Sequence, residues 1–350
     1  MSNRTWLSTA AKGFTRPNAS FDRLYLPRSS NLPLPYMLAY GIIATLVVFL
    51  NGLVLLIFIK KREVRKRKSN LFLCSLSAAD FLVGVSSIFY LACVQSKSLT
   101  ELAKKISTVV LGFSLETSMF SLCCITYERL IGVKDSLKYQ KLVTSGTVKA
   151  AIIFTWVLSV VMSSMQGILA FKLEEGRYFE LNGVVIVVLA NIISIFLAVV
   201  YIYFYHEIRR HCRNMRNTSV SVTCSLDLDL VPTRSLEDTL DFDKSIHDVT
   251  AEPIVPKKKH DSLLSLSREK RSLILCSFIV CSFIVCWTPI TVFFAALMLD
   301  QQYMTKDFML YISTCIVSLN SLLDPCIYFA LRNDLRRAAL SVLCRTGHSR

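Results

Sequence analysis

Apolar residues in this chain gather into seven long runs, over 36–59, 70–94, 107–133, 148–171, 183–205, 272–299 and 308–330, separated by polar links. A helix of about 20 mostly apolar residues crosses the hydrocarbon core of a bilayer, so each run predicts a spanning helix. The fold class that follows is an all-α membrane protein, a seven-transmembrane-helix bundle, with its termini on opposite sides. Beyond the last run, Leu335, Ala339, Leu340 and Leu343 fall on one side of a short helix. That pattern predicts an amphipathic cytoplasmic helix lying in the membrane interface, with Cys344 at its end a candidate for palmitoylation. Three regions result: an extracellular N-terminal segment 1–35, a spanning domain 36–330, and a short tail 331–350.

Charge sets the orientation. The formal net charge is +15, which in a soluble protein would point to nucleic acid. Here the basic residues sit in alternate links: Lys60 to Lys68, Arg209 to Arg216, Arg268 to Arg271, and Arg332 to Arg337. The positive-inside rule places those links in the cytoplasm and the N-terminus outside, so no nucleic-acid partner is expected. The expected location is the plasma membrane. Residues 1–33 lack the apolar core of a cleavable signal, and Asn3 and Asn18 begin glycosylation sequons on the outer side. The link 213–267 is rich in Ser, Thr and Asp with few aromatics, and is expected to be largely disordered. It offers kinase targets around Thr218 to Ser225 and at Ser235, or serves as a plain solvated linker. None of the twelve cysteines lies in an outer segment, so no oxidised framework is expected.

Polar residues inside the spans narrow the picture. Asp80, Glu116 and Asp324 lie within the second, third and seventh runs, and a carboxyl in lipid must be protonated, paired or bound to a cation. Asn51, Ser118, Asn320 and Ser321 stand at similar depth. Either these groups form a hydrated pocket for a sodium ion or a proton, or they are a hydrogen-bond network joining helices. At the inner end of the third run Glu128 precedes Arg129. Glu269 opens the sixth run on the same side, within reach of an ion pair across the bundle. Phe283 and Trp287 share a helix face, and Pro289 and Pro325 each remove a backbone donor from a span.

Taken in order, Asn51-Gly52, Leu76 to Asp80, Glu128-Arg129, Trp156, Tyr205, Cys286-Trp287-x-Pro289 and Asp324-Pro325-x-x-Tyr328 resemble the rhodopsin-like, class A, G-protein-coupled receptors. The resemblance covers about 36–344 and implies that the tail helix is the family's helix 8. It implies a sodium site at Asp80, Ser118, Asn320, Ser321 and Asp324, with an allosteric sodium ion and no other cofactor. It further implies an activation switch: Arg129, preceded by Glu128, and Glu269 as a cytoplasmic lock, Trp287 and Phe283 as transmission residues on a span kinked at Pro289, Pro325 near the inner end of the seventh span, and Tyr205 and Tyr328 turning toward Arg129.

Departures from the family pattern bear on the ligand. The usual disulfide to the second outer loop has no cysteine at either end, and Leu197 replaces the fifth helix's proline. Both resemble the melanocortin, lysophospholipid and cannabinoid receptor group. Family pocket positions are Tyr90, Leu111, Leu115, Glu116, Leu189, Ile193, Trp287, Ile290, Thr291, Phe294, Thr314 and Ser318. Leu111 stands where amine receptors carry an aspartate, so an amine is disfavoured. A lipid or small apolar ligand is favoured over a peptide. The expected partners are an extracellular ligand, a heterotrimeric G protein and membrane lipids, with arrestin and kinases acting through 213–267. No catalytic cluster is visible, so no enzymatic activity is expected. The alternatives are a heptahelical decoy or partner subunit that does not couple, and a transporter, against which the absence of related halves speaks.

Overall fold

The computed structural model describes residues 32–96, 100–134, 139, 141–173, 175–228, 257–298 and 306–346. Its spanning helices are α1 (Leu34–Lys60), α3 (Lys68–Gln95), α4 (Glu101–Lys134), α5 (Ser145–Lys172), α6 (Glu175–Leu228), α7 (Lys257–Met298) and α8 (Lys306–Leu331). A five-residue turn of helix, α2 (Arg62–Lys66), links α1 to α3, and α9 (Asn333–Thr346) follows α8. Seven helices are therefore long and apolar enough to cross a membrane, and no strand occurs among the described residues.

The packing order is a closed ring: α1 on α3, α3 on α4, α4 on α6, α6 on α7, α7 on α8, and α8 back on α1. Helix α5 stands outside this ring against α4. Burial follows that plan, since 61% of the most apolar stretch of α3 is buried but only 22% of that of α5. Large apolar side chains point outward all round; Phe49, Phe154 and Ile195 are 63–65% exposed. In water such a belt would drive aggregation, whereas lipid is its proper solvent.

Small and polar residues set how closely the helices approach. A Cβ at Gly84 would stand 2.7 Å from Val48 Cγ2 and 2.9 Å from the Ala44 carbonyl, so α3 meets α1 through a bare backbone there. Tyr40 on α1 donates to Ser87 on α3 at 3.0 Å, and Asn51 donates to the Ser321 carbonyl of α8, also at 3.0 Å. Trp156 of α5 donates its indole N–H to Ser75 of α3 at 3.0 Å. The start of α5 is a capping box, with Thr144 and Thr147 each bonding the other's backbone N–H. Asp334 in the first turn of α9 pairs with Arg332 at 2.6 Å and Arg67 at 3.5 Å, holding α9 to the α2–α3 corner. Burial alone would raise its carboxyl pKa, but hydrogen bonds and charge from Arg332 bring it below the usual value.

Three expectations change. The link 213–267 is helical at both flanks, as α6 continues to Leu228 and α7 already begins at Lys257. The physical reason is that a helix formed in the bilayer needs no new nucleus to grow, so each added residue costs only propagation. The stretch 175–182, expected as part of an outer loop, is the first turns of α6. On α9, Leu335, Ala338, Ala339 and Val342 are buried while Leu340 and Leu343 are exposed, so two of the four expected apolar positions face away from the bundle.

Candidate functional site

A cavity of about 180 Å³ opens between α4, α5, α6, α7 and α8. Its walls are largely aliphatic: Leu111, Leu115 and Met119 from α4, Leu189 from α6, Ile290 from α7, and Val317 from α8. Trp287 lies on the wall as well, stacked on Phe283 one turn earlier in α7 with ring centroids 5.7 Å apart. Phe294 closes the other end of the α7 face against Phe179, at 5.2 Å. Gly183 makes this possible, because a Cβ there would run into the Phe294 ring.

One charged group enters this cavity. Glu116 is 5% exposed, and its two oxygens accept from different residues of α5: Oε2 from Ser163 at 3.0 Å, Oε1 from the Gln166 amide at 2.5 Å. Ser163 has a single proton to donate, and its Oγ is closer to the Ser159 carbonyl, at 2.6 Å, than to Glu116. Gly112, one turn before Glu116, leaves the space into which Gln166 fits. Among the described residues, no cationic side chain pairs with Glu116. Polar groups of Thr108, Tyr178, Asn182 and Thr314 complete the lining.

Of the residues expected at the pocket, Leu111, Leu115, Glu116, Leu189, Trp287, Ile290, Phe294 and Thr314 line the cavity. Four do not. Tyr90 lies beside Tyr40 and Tyr311, in an aromatic cluster of α1, α3 and α8 where Tyr36 and Tyr311 stack at 4.5 Å. Ile193 is buried in the core, and the hydroxyls of Thr291 and Ser318 turn back onto the carbonyls of Thr288 and Thr314. Ser163, Gln166, Tyr178 and Asn182 were not anticipated. Ser159, Ser163 and Gln166 do recur at helical spacing on one face of α5, and that stripe was the available signal.

Below the cavity lies a second polar group. Asp80 accepts from Ser118 at 2.7 Å, and Asp324 of α8 interacts directly with Asp80. Asp80 Oδ2, both oxygens of Asp324 and Asn320 Oδ1 are buried without a hydrogen-bond partner. Ser321 stands within hydrogen-bonding reach of Asp80. Four acceptors without donors, three of them carboxyl oxygens, fit a cation or a shared proton and fit no dry apolar packing.

At the basic end of the bundle, Glu128 is almost fully buried. It pairs with Arg129 at 3.4 Å, accepts from Ser69 at 2.7 Å, and accepts from the Tyr139 hydroxyl at 2.5 Å. Burial first, and the bond to Glu128 second, push the Tyr139 phenol up from its ordinary pKa, so it stays a donor. Tyr328 is fully buried, whereas Tyr205 is 43% exposed. The Glu269 side chain, Asn3 and Asn18 lie outside the described residues, while Cys344 is exposed. The described cysteines are free.

The family model for the 7 transmembrane receptor (rhodopsin family) matches residues 50–328. This chain belongs to that family. Its members are receptors, and the seven apolar helices make this one an integral membrane protein. Among its relatives, trace amine-associated receptor 9 of Mus musculus is 30% identical over 142 residues, 39% of this chain and 40% of that protein. The chain thus matches about two-fifths of that relative's length. The alpha-2A adrenergic receptor of Danio rerio is 22% identical over 378 residues, covering 91% of this chain and 94% of the other. The alpha-2B adrenergic receptor of Talpa europaea is 28% identical over 197 residues, about half of each.

Proposed function

We propose that this rhodopsin-family receptor sits in the plasma membrane with its N-terminus outside, and passes occupancy of the α4–α8 cavity to a heterotrimeric G protein. The observation that carries this reading is the shared wall: Trp287 faces the cavity and stacks on Phe283 within α7. A ligand against Trp287 would bias α7 about Pro289, whose missing N–H leaves the helix one bond short. The basic end of α7 would then swing, freeing Arg129 from Glu128 and Glu269, with Tyr205 and Tyr328 turning inward. The ligand acts only through its differential affinity for the two states.

The ligand is small. About 180 Å³ is below the range typical of drug-sized sites, so within the favoured class of lipid or small apolar molecule, a two-chain lipid fits poorly. The missing outer cysteine pair and Leu197 support kinship with the melanocortin, lysophospholipid and cannabinoid group, while the relatives matched above carry amine-receptor names. Leu111 argues against an amine docked as those receptors dock theirs. A sodium ion held by Asp80, Ser118, Asn320, Ser321 and Asp324 would supply a positive charge that stabilises the resting state. Arrestin and kinases would act through 213–267.

The test needs no ligand. Basal activation is compared across Gs-, Gi- and Gq-type reporters for wild type and Glu269→Ala at matched surface expression. A rise in one reporter supports coupling and names its class. Background signal in every reporter for both proteins overturns it in favour of a heptahelical protein that does not couple.

A further inference from the structure

Resting on the receptor reading above, but replacing its neutral apolar ligand, we infer that the cavity takes a small organic cation: a compact apolar body bearing one protonated amine that pairs with Glu116, at a place other than the Leu111 position where amine receptors carry their aspartate. The cavity supplies nearly everything such a ligand needs on one side and lacks it on the other. Leu111, Leu115, Ile290 and Val317 form an aliphatic wall that rewards an apolar body by its burial. Glu116 is the acid of that wall, and it is all but buried.

Its surroundings are those of a carboxylate awaiting a counter-charge. One oxygen accepts from the Gln166 amide, while the other has only the Ser163 hydroxyl at 3.0 Å, whose single proton is shared with the closer Ser159 carbonyl, so the carboxyl is under-supplied with donors. Both neighbours are neutral, and among the described residues no cationic side chain pairs with the group. A buried charge left without a partner is costly, and restoring the partner recovers that cost. An ammonium entering the cavity does so, with the remaining lone pairs of Glu116 as its acceptors. The carboxylate is also five residues beyond Leu111, about 7.5 Å deeper along α4 at the helical rise. An amine bound here therefore sits lower, and its body must be short. About 180 Å³ suits a small body held whole within the bundle. The strongest rival is a neutral alcohol meeting a protonated Glu116.

The decisive experiment uses matched pairs of probes on the full chain in lipid nanodiscs: 2-phenylethylamine against 2-phenylethanol, and cyclohexylmethylamine against cyclohexylmethanol. Binding is read as a shift in melting temperature over a concentration series. In the wild type each amine is expected to bind at least about tenfold more tightly than its alcohol. Glu116→Gln, which keeps the shape and hydrogen-bonding capacity, should abolish that preference. Glu116→Asp, which keeps the charge on a shorter arm, should retain it with weaker binding, and so separates loss of charge from loss of fold. Equal binding of amine and alcohol, an amine preference that survives Glu116→Gln, or no binding of either amine at millimolar concentration overturns the inference. Because the readout is binding, it is independent of coupling. Basal coupling without amine preference defeats only the cation assignment, and amine preference without any coupling defeats only the receptor reading.

Discussion

Removing one hydroxyl at the basic end tests whether the Glu128 cluster restrains the receptor. Glu128 is held by three groups: Arg129 at 3.4 Å, Ser69 at 2.7 Å and Tyr139 at 2.5 Å. In Tyr139→Phe the ring remains and only the donor is lost. A hydrogen bond to a charged group contributes about 1.5–3 kcal/mol. The lower end applies, because Tyr139 is half-buried and Ser69, 2.8 Å from its hydroxyl, still donates to the same oxygen. If the bond exists only while Arg129 is paired, about 1.5 kcal/mol is taken from the resting state, roughly tenfold in the equilibrium constant. A basal active population of about 1% would rise to about 10%. The assay is ligand-free G-protein activation at matched surface expression, with Ser69→Ala and the double variant completing a cycle. Unchanged or reduced basal activity in Tyr139→Phe refutes the reasoning, since the bond would then be made equally in both states or belong to the active one.

Other outcomes follow from the packing. Gly84→Leu would force a side chain against the Ala44 carbonyl and Val48, and overpacking of this kind costs about 1–3 kcal/mol or more; surface expression and melting temperature should both fall, while Leu at the exposed Val85 should leave them unchanged. Sodium chloride should raise the melting temperature of the wild type more than N-methylglucamine chloride at equal strength, and Asp80→Asn should erase the difference. Asp334→Asn should loosen α9 and raise the reactivity of Cys344 toward a water-soluble maleimide. The contribution of Asp334 has a defined acid limit: its folded pKa is lowered, so the contribution is complete above the ordinary carboxylate value of 3.8 and fades only as pH falls below it.

Much of the architecture was legible because lipid allows so little else. A backbone in hydrocarbon must satisfy its own hydrogen bonds, so seven apolar runs could only become seven helices. Depth was legible for the same reason, and Asp80, Ser118 and Asp324 do meet at one level. Rotation about each helix axis was not. Tyr90 turned toward Tyr40 and Tyr311, because one more aromatic ring packs better among rings than on an aliphatic wall. The partners of Glu116 were hidden similarly: the acid stood out alone in its span, but which neighbouring helix would offer donors depended on α5 leaning on α4 from outside the ring. Tyr139 lies in a link between spans, where no periodicity marks a residue that will fold back on Glu128. The flanks of 213–267 misled because composition reports the cost of starting a helix and not the ease of extending one.

The outlying position of α5 carries a further consequence. Apolar burial does little to hold a helix to its neighbours in lipid, and α5 is the span with the least buried surface. What fixes its place is a handful of polar contacts: Trp156 to Ser75, and Ser163 and Gln166 to Glu116. The acid that gives the cavity its chemistry is thus also a fastener of the scaffold. Any lineage that abandoned it would strand the Gln166 amide on α5, and would have to replace residues on two helices together to change the ligand it recognises.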